Sequence, residues 1–112
     1  MYAPDLWWAY ARTAERVAKD TSERHVFNSA AVYVGVYAEA ECYIKLGDGA
    51  VTIGAFNEAD TLRVPAGVLV KLSLVDYFNM PATSKTKTAV AFRAPVACRV
   101  QFTEWDNPSI TL

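Results

Sequence analysis

The chain has 112 residues and a formal charge of −1, from 11 basic and 12 acidic side chains spread along its length. No basic run could track a phosphate backbone, which speaks against nucleic-acid binding; no apolar stretch approaches the ~20 residues that span a bilayer, and no basic-then-apolar leader is visible after Met1. Hydrophobic residues make up 53% of the chain, above the roughly 45–50% of ordinary globular sequences, and a single small domain cannot hide that excess, so association is expected.

Residues 1–22 read as an arm and an amphipathic helix. Pro4 suits the lead into a first turn, and Asp5 places negative charge where the helix dipole favours it. Trp7, Tyr10, Ala11, Ala14, Val17 and Ala18 recur at helical spacing, with Arg12, Glu15, Arg16 and Lys19 opposite, and the helix is predicted to end around Asp20-Thr21-Ser22. Tyr2, Trp7, Trp8 and Tyr10 crowd this segment. Consecutive tryptophans lie ~100° apart around a helix. Either a wide helical face packs on the remainder of the chain, or at least one tryptophan anchors the arm to another subunit.

Arg24 to Ala30 is a polar lead-in, and His25, the single histidine, reads as solvent-facing or capping. Alternation then predicts strands. Ala31–Ala38 puts Val32, Val34 and Val36 on one face and Tyr33, Gly35 and Tyr37 on the other. Ala40–Leu46 follows, with Ala40, Cys42, Ile44 and Leu46 inward; Gly47-Asp48-Gly49 predicts a hairpin whose returning strand is Ala50–Phe56. Thr61–Val64 is a short strand before the Pro65-Ala66-Gly67 turn.

Val68–Phe78 carries the longest run of strand-type residues. Val68, Val70, Leu72 and Leu74 share one face, with Leu69, Lys71, Ser73, Val75 and Tyr77 on the other, which predicts a central strand covered on both sides. Asn79–Ser84 is a loop, Lys85–Arg93 alternates again, and Val96–Glu104 is the last strand, with Val96, Cys98, Val100 and Phe102 inward; residues 106–112 form a tail. About seven strands over residues 23–105 describe a small antiparallel β-sandwich or barrel. The outer faces of Ala31–Ala38 and Val68–Phe78 are too apolar for solvent, which makes Tyr33, Tyr37, Leu69 and Tyr77, with Tyr2, Trp7, Trp8 and Tyr10, the expected interface residues.

Catalytic signatures do not emerge. Gly47-Asp48-Gly49 joins two strands rather than a strand and a phosphate-binding helix, no Gly-x-Ser-x-Gly elbow exists, and a metal site would rest on His25 alone. Glu39 with Glu41, and Glu58 with Asp60, could act as acid–base or Ca²⁺ pairs, but such carboxylates at strand ends and in loops are usually solvated charges. Cys42 and Cys98 read as small buried hydrophobes with free thiols, and a disulfide between neighbouring strands stays open. Neither an enzyme nor a cofactor is expected. Two other readings are a carbohydrate-recognising sandwich, with Tyr33, Tyr37, Tyr43 and Tyr77 stacking on sugars, and a cupin-like barrel enzyme, which would need a polar metal cavity.

The order of motifs carries a resemblance. Ala31-Val32-Tyr33-Val34-Gly35, the Asp48-Gly49-Ala50-Val51-Thr52-Ile53 hairpin, Val64-Pro65-Ala66-Gly67 with its strand, and Ala82-Thr83 before Thr88-Ala89-Val90-Ala91-Phe92 follow one another. Over residues 30–93 the chain resembles the small all-β structural proteins of tailed bacteriophage virions; the N-terminal segment and Val96–Glu104 lie outside the resemblance. It implies a non-enzymatic capsid-decoration, head-fibre or neck component that forms a homo-oligomer, contacts other virion proteins, needs no cofactor, and resides in the virion after synthesis in a host cytoplasm.

Overall fold

Eight strands appear in the computed structural model, which describes residues 11–75 and 85–106. They are β1 Ala11–Ala18, β2 Glu23–Val26, β3 Ala31–Ala38, β4 Cys42–Gly47, β5 Leu62–Val64, β6 Val70–Ser73, β7 Ala89–Arg93 and β8 Cys98–Asp106. All pair antiparallel in two four-stranded sheets, ordered β1-β8-β3-β6 and β2-β7-β4-β5. The chain passes from one sheet to the other at nearly every connection, which is the two-sheet jelly-roll arrangement.

Strand alternation builds the core between the sheets. Val34, Val36 and Ala38 of β3 and Val100 and Phe102 of β8 face Cys42 and Ile44 of β4 and Val90 and Phe92 of β7, all of them buried. The Phe92 and Phe102 rings meet across the gap at 5.3 Å between centroids. Burial of each large apolar side chain contributes about 1.5–3 kcal/mol, which makes this contact layer the main source of cohesion.

The expected N-terminal helix is replaced, from residue 11 onward, by a strand; residues 1–10, with Tyr2, Trp7, Trp8 and Tyr10, lie outside the described residues. Ala14 and Ala18 fit either periodicity, but Val17 is exposed while Ala18 is buried, as alternation requires. Eight successive pairings with β8, from Ala11↔Trp105 to Ala18↔Cys98, outweigh helix propensities of a few tenths of a kcal/mol per residue. The polar lead-in likewise contains β2, paired with β7.

Three further expectations change. Val68–Phe78 is not a central strand: β6 is short, begins at Val70, and occupies the edge of its sheet beside β3. The Pro-Ala-Gly turn does form, with Gly67 at φ 73° donating its N–H to Ala38 O at 2.9 Å, and it delays the start of pairing. Ala50–Phe56 does not return as a strand. Asp48 closes a local turn by accepting from Ala50 N (2.9 Å) and Val51 N (3.1 Å), and β4 pairs instead with β5 and β7. The last strand starts at Cys98 and continues through Trp105 and Asp106, leaving Val96 exposed.

Candidate functional site

The two sheets differ in what covers their outer faces. Over β4 and β7 lies the connection 48–61. Phe56 packs on Tyr43 at 4.7 Å, and the Arg93 guanidinium sits 4.9 Å from the Phe56 ring. Arg93 also donates to Gly54 O, Arg24 donates to Gly49 O, and Ile53 N donates to Ser22 Oγ at 3.0 Å. Glu58 ties the loop to itself and to the sheet, accepting from Gly54 N (2.6 Å), Ala55 N (3.3 Å) and Lys45 Nζ (3.1 Å). These bonds, led by the one from Gly54 N–H, hold its carboxyl below the usual range. Tyr43, a candidate sugar platform by sequence, is thus under the chain's own loop.

The outer face of β1-β8-β3-β6 carries no comparable cover among the described residues. Register sets its pattern in rows across the sheet. One row holds Ala11, Trp105, Tyr33 and Ser73; the next Thr13, Thr103, Gly35 and Lys71; then come Glu15, Gln101 and Tyr37, followed by Val17 and Arg99. Gly35 is there for a steric reason: a Cβ on it would lie 2.8 Å from the outer edge of the Trp105 ring and 3.1 Å from Leu69 Cδ1. Trp105 therefore lies across Gly35, with Lys71 Nζ 5.5 Å from its ring centroid. On the same face Tyr37 is 41% exposed and Leu69 49%, and Val17, three rows away at the far end, is 60% exposed. The charged fringe is loose, with Arg99 at 3.8 Å from Glu15 and 3.7 Å from Glu39; exposed pairs of this kind hold little energy.

Sequence reasoning placed Tyr33, Tyr37 and Leu69 at an interface, and the fold brings all three to this one face. Tyr77 lies outside the described residues, as do the four N-terminal aromatics. Trp105 and Val17 were missed. Carrying the Arg99, Gln101, Thr103 alternation two residues further finds Trp105 on the outer face, whereas Val17 was hidden by the helical reading of its segment.

A second polar feature lies inside. His25 is buried, not solvent-facing, and its Nε2 meets Glu104 Oε2 at 2.8 Å across the two sheets. Arg16 Nη2 approaches Nδ1 at 3.3 Å. A guanidinium can only donate, so Nδ1 accepts and Nε2–H donates to Glu104. The ring stacks on Phe102 at 5.0 Å and meets Phe27 edge-on. Glu104 Oε1 accepts from Asn28 N at 2.7 Å. Burial pushes this carboxyl upward, but the bonds from His25 and Asn28, with the nearby charge of Arg12, outweigh it, so it is held below the usual carboxylate range. Above the pair, Arg12 grips Asp106 and Lys85 Nζ donates to Asn28 O and Ala31 O, both at 2.8 Å.

The carboxylate pairs singled out by sequence act locally. Glu41 accepts from Tyr43 Oη and pairs with Arg63 at 3.1 Å, while Glu39 faces Arg99. Among the described residues no three His, Cys, Asp or Glu side chains converge as metal ligands. A groove of about 540 Å³ opens between the sheets, with Ile44, Leu46, Leu62 and Leu72 as walls and Asp60 and Lys87 at the rim. Cys42 and Cys98 are free thiols in the core. Burial, then the neighbouring Cys98, pushes the Cys42 thiol up to about 11.

No family model matches the chain, and no curated protein matches it. Solved structures do. A protein of Salmonella typhimurium LT2 assigned as ethanolamine utilization protein Q superposes with TM-score 0.51 at 11% identity, over 87% of this chain and 58% of that one. A Neisseria meningitidis protein gives 0.50 at 9%, covering 87% and 76%. A protein of Bacillus endospore appendages, described as disulfide-linked pili, gives 0.50 at 15%, covering 86% and 84%. The chain thus spans less than two thirds of the first of these. At such identities the likeness is one of fold.

Proposed function

We propose that this chain is a non-enzymatic structural subunit that assembles through the open face of the β1-β8-β3-β6 sheet. Its proposed setting is a virion, where it contacts copies of itself and other virion proteins. One observation carries the reading: among the described residues the 48–61 loop covers one sheet, while Trp105, Tyr37, Leu69 and Val17 lie outward on the other. Aromatic and aliphatic side chains exposed among polar ones on an uncovered sheet face suit a protein contact. The histidine supports the same reading, because both ring nitrogens are engaged and it is closed off between the sheets. For the virion setting the support is the ordered motif set over residues 30–93.

Native mass at micromolar concentration tests the assembly. An oligomer that dissociates in the Tyr37→Glu variant is expected; a monodisperse parent monomer overturns the proposal. The virion setting is tested by mass spectrometry of particles produced from the genome that encodes the chain, and absence from them overturns it. A second reading rests on a different aspect of the same face. The Trp105 ring, its outer edge over Gly35 and the Thr13/Thr103 row beside it, offers an aromatic surface with polar neighbours, and a glycan array with Trp105→Ala as control decides whether it holds sugars.

A further inference from the structure

Two buried thiols take no part in the assembly reading. Cys42 opens β4 in one sheet, Cys98 opens β8 in the other, and both belong to the core between them. Facing sheets lie ~10 Å apart, whereas a disulfide needs its Cα atoms ~4.4–6.8 Å apart. At this end of the sandwich the gap closes, because the chain itself steps across it. β3 ends at Ala38 in the first sheet and β4 begins at Cys42 in the second, so Glu39, Ala40 and Glu41 make the whole crossing.

Cys98 lies alongside that step. The Ala38↔Val100 pairing continues into a bond from Glu39 N–H to Arg99 O at 3.0 Å, which carries the register on to Cys98 beside Ala40. Cys98 Sγ is 3.9 Å from Ala40 O, two residues before Cys42. The Cys42 thiol responds to it: after burial, the neighbouring Cys98 is the next cause of its rise to about 11. The cross-strand neighbours of the pair are small. Cys98 stands opposite Ala18 and beside Ala40, and Cys42, next after the Tyr43↔Arg93 pair, lies opposite Ala94; only Val64, on the β5 side of Cys42, is larger. Alanines leave the sulfurs room to change rotamer without displacing a bulky side chain.

We propose that Cys42 and Cys98 form a redox-sensitive pair, two thiols in a reducing compartment and, outside it, a disulfide that staples the two sheets where β3 crosses to β4. The oxidant is a small disulfide such as oxidised glutathione. Cys98 is the more accessible partner, 8% exposed against 0% for Cys42, and exchanges first. Its thiolate attacks one glutathione sulfur, the S–S bond of the oxidant breaks, and one glutathione thiolate leaves. The Cys42 thiolate then attacks Cys98 Sγ and expels the second. The two protons given up by the cysteines end on the two glutathione thiolates, so the pair is oxidised as the glutathione is reduced. The high Cys42 value makes the second exchange the slow one, and it quickens as pH rises. The staple stands independently of the assembly reading.

Full-length reduced protein, held folded at mildly alkaline pH with excess oxidised glutathione, tests the inference. The expected product is a single chain lighter by two hydrogen atoms, which takes up no iodoacetamide in urea and yields a peptide pair joining positions 42 and 98. Its melting midpoint should rise by at least ~10 °C, because the bond constrains a long stretch of the unfolded chain, and should return on treatment with dithiothreitol. Cys42→Ala should stop one exchange earlier, with one glutathionyl group on Cys98. Should that variant melt far below the parent, the parent's peptide map and midpoint decide. Cysteines that both still alkylate in urea, glutathione on both, or cross-links only between chains overturn the inference. A cross-link within the chain that leaves the midpoint where it was also overturns it, since such a bond would strain the sheets rather than staple them.

Discussion

Replacing Glu104 by alanine is expected to be among the most damaging single changes in the protein. Its carboxylate is buried and accepts from His25 Nε2 at 2.8 Å and from Asn28 N at 2.7 Å. Truncation removes both bonds and leaves the buried His25 Nε2–H without a partner, while the N–H of exposed Asn28 is open to water; deleting one half of a buried pair costs about 3–5 kcal/mol. Domains of this size have about 5–15 kcal/mol in total, and each kcal/mol moves the midpoint by roughly 4–8 °C. A thermal melt should therefore fall by at least ~12 °C. Glu104→Gln retains an acceptor for Asn28 and should lose about 1–2 kcal/mol, the charged part of the bonds. The double variant His25→Phe with Glu104→Leu provides the sharper measurement, since apolar replacement of both partners is often neutral. It should be more stable than Glu104→Ala alone. If Glu104→Ala costs under ~1 kcal/mol, or if the two single losses simply add, the pair does not couple the sheets as argued.

Other expectations follow from the same geometry. The Glu104 carboxyl is held below its unfolded value, so its contribution is complete above the unfolded carboxylate range of about 4.3 and is lost as pH falls through the folded value; urea melts should show a steeper acid loss for the parent than for Glu104→Gln. Gly35→Ala forces Trp105 aside, because the new methyl would lie 2.8 Å from its ring; a cost of about 1–3 kcal/mol and a shifted tryptophan emission are expected, and an unchanged spectrum would refute the placement. The Cys42 thiol, raised to about 11 by burial and then by Cys98, should resist alkylation at pH 8 in the folded protein and react promptly in urea.

Strand alternation made much of the sandwich legible. Val34, Val36, Ile44, Val90, Val100 and Phe102 follow period-two patterns because one side of each strand meets the core. What sequence could not show was decided by pairing. Alanines at 14 and 18 satisfy helix and strand alike, and only the long β8 alongside them settles β1 as a strand. The Asp48-Gly49 turn reads as a hairpin because local residues specify the turn and not its partner, which proved to be distant. His25 and Glu104 are 79 positions apart, and nothing in either local pattern announces the other. The open face was half legible: Tyr33, Tyr37 and Leu69 stood on outward sides of strands too apolar for solvent, while Trp105 lay beyond the expected strand end.

The 48–61 loop also gives the subunit a handedness toward its surroundings. In any array whose copies meet through the uncovered sheet, every loop turns outward, so the array has a lining and a skin made from two different surfaces of one small chain. The skin presents Gly49, Gly54, Glu58 and Asp60 at or near solvent, a turn-rich stretch whose sequence can drift or accept an inserted peptide without touching the contacts that hold neighbours together.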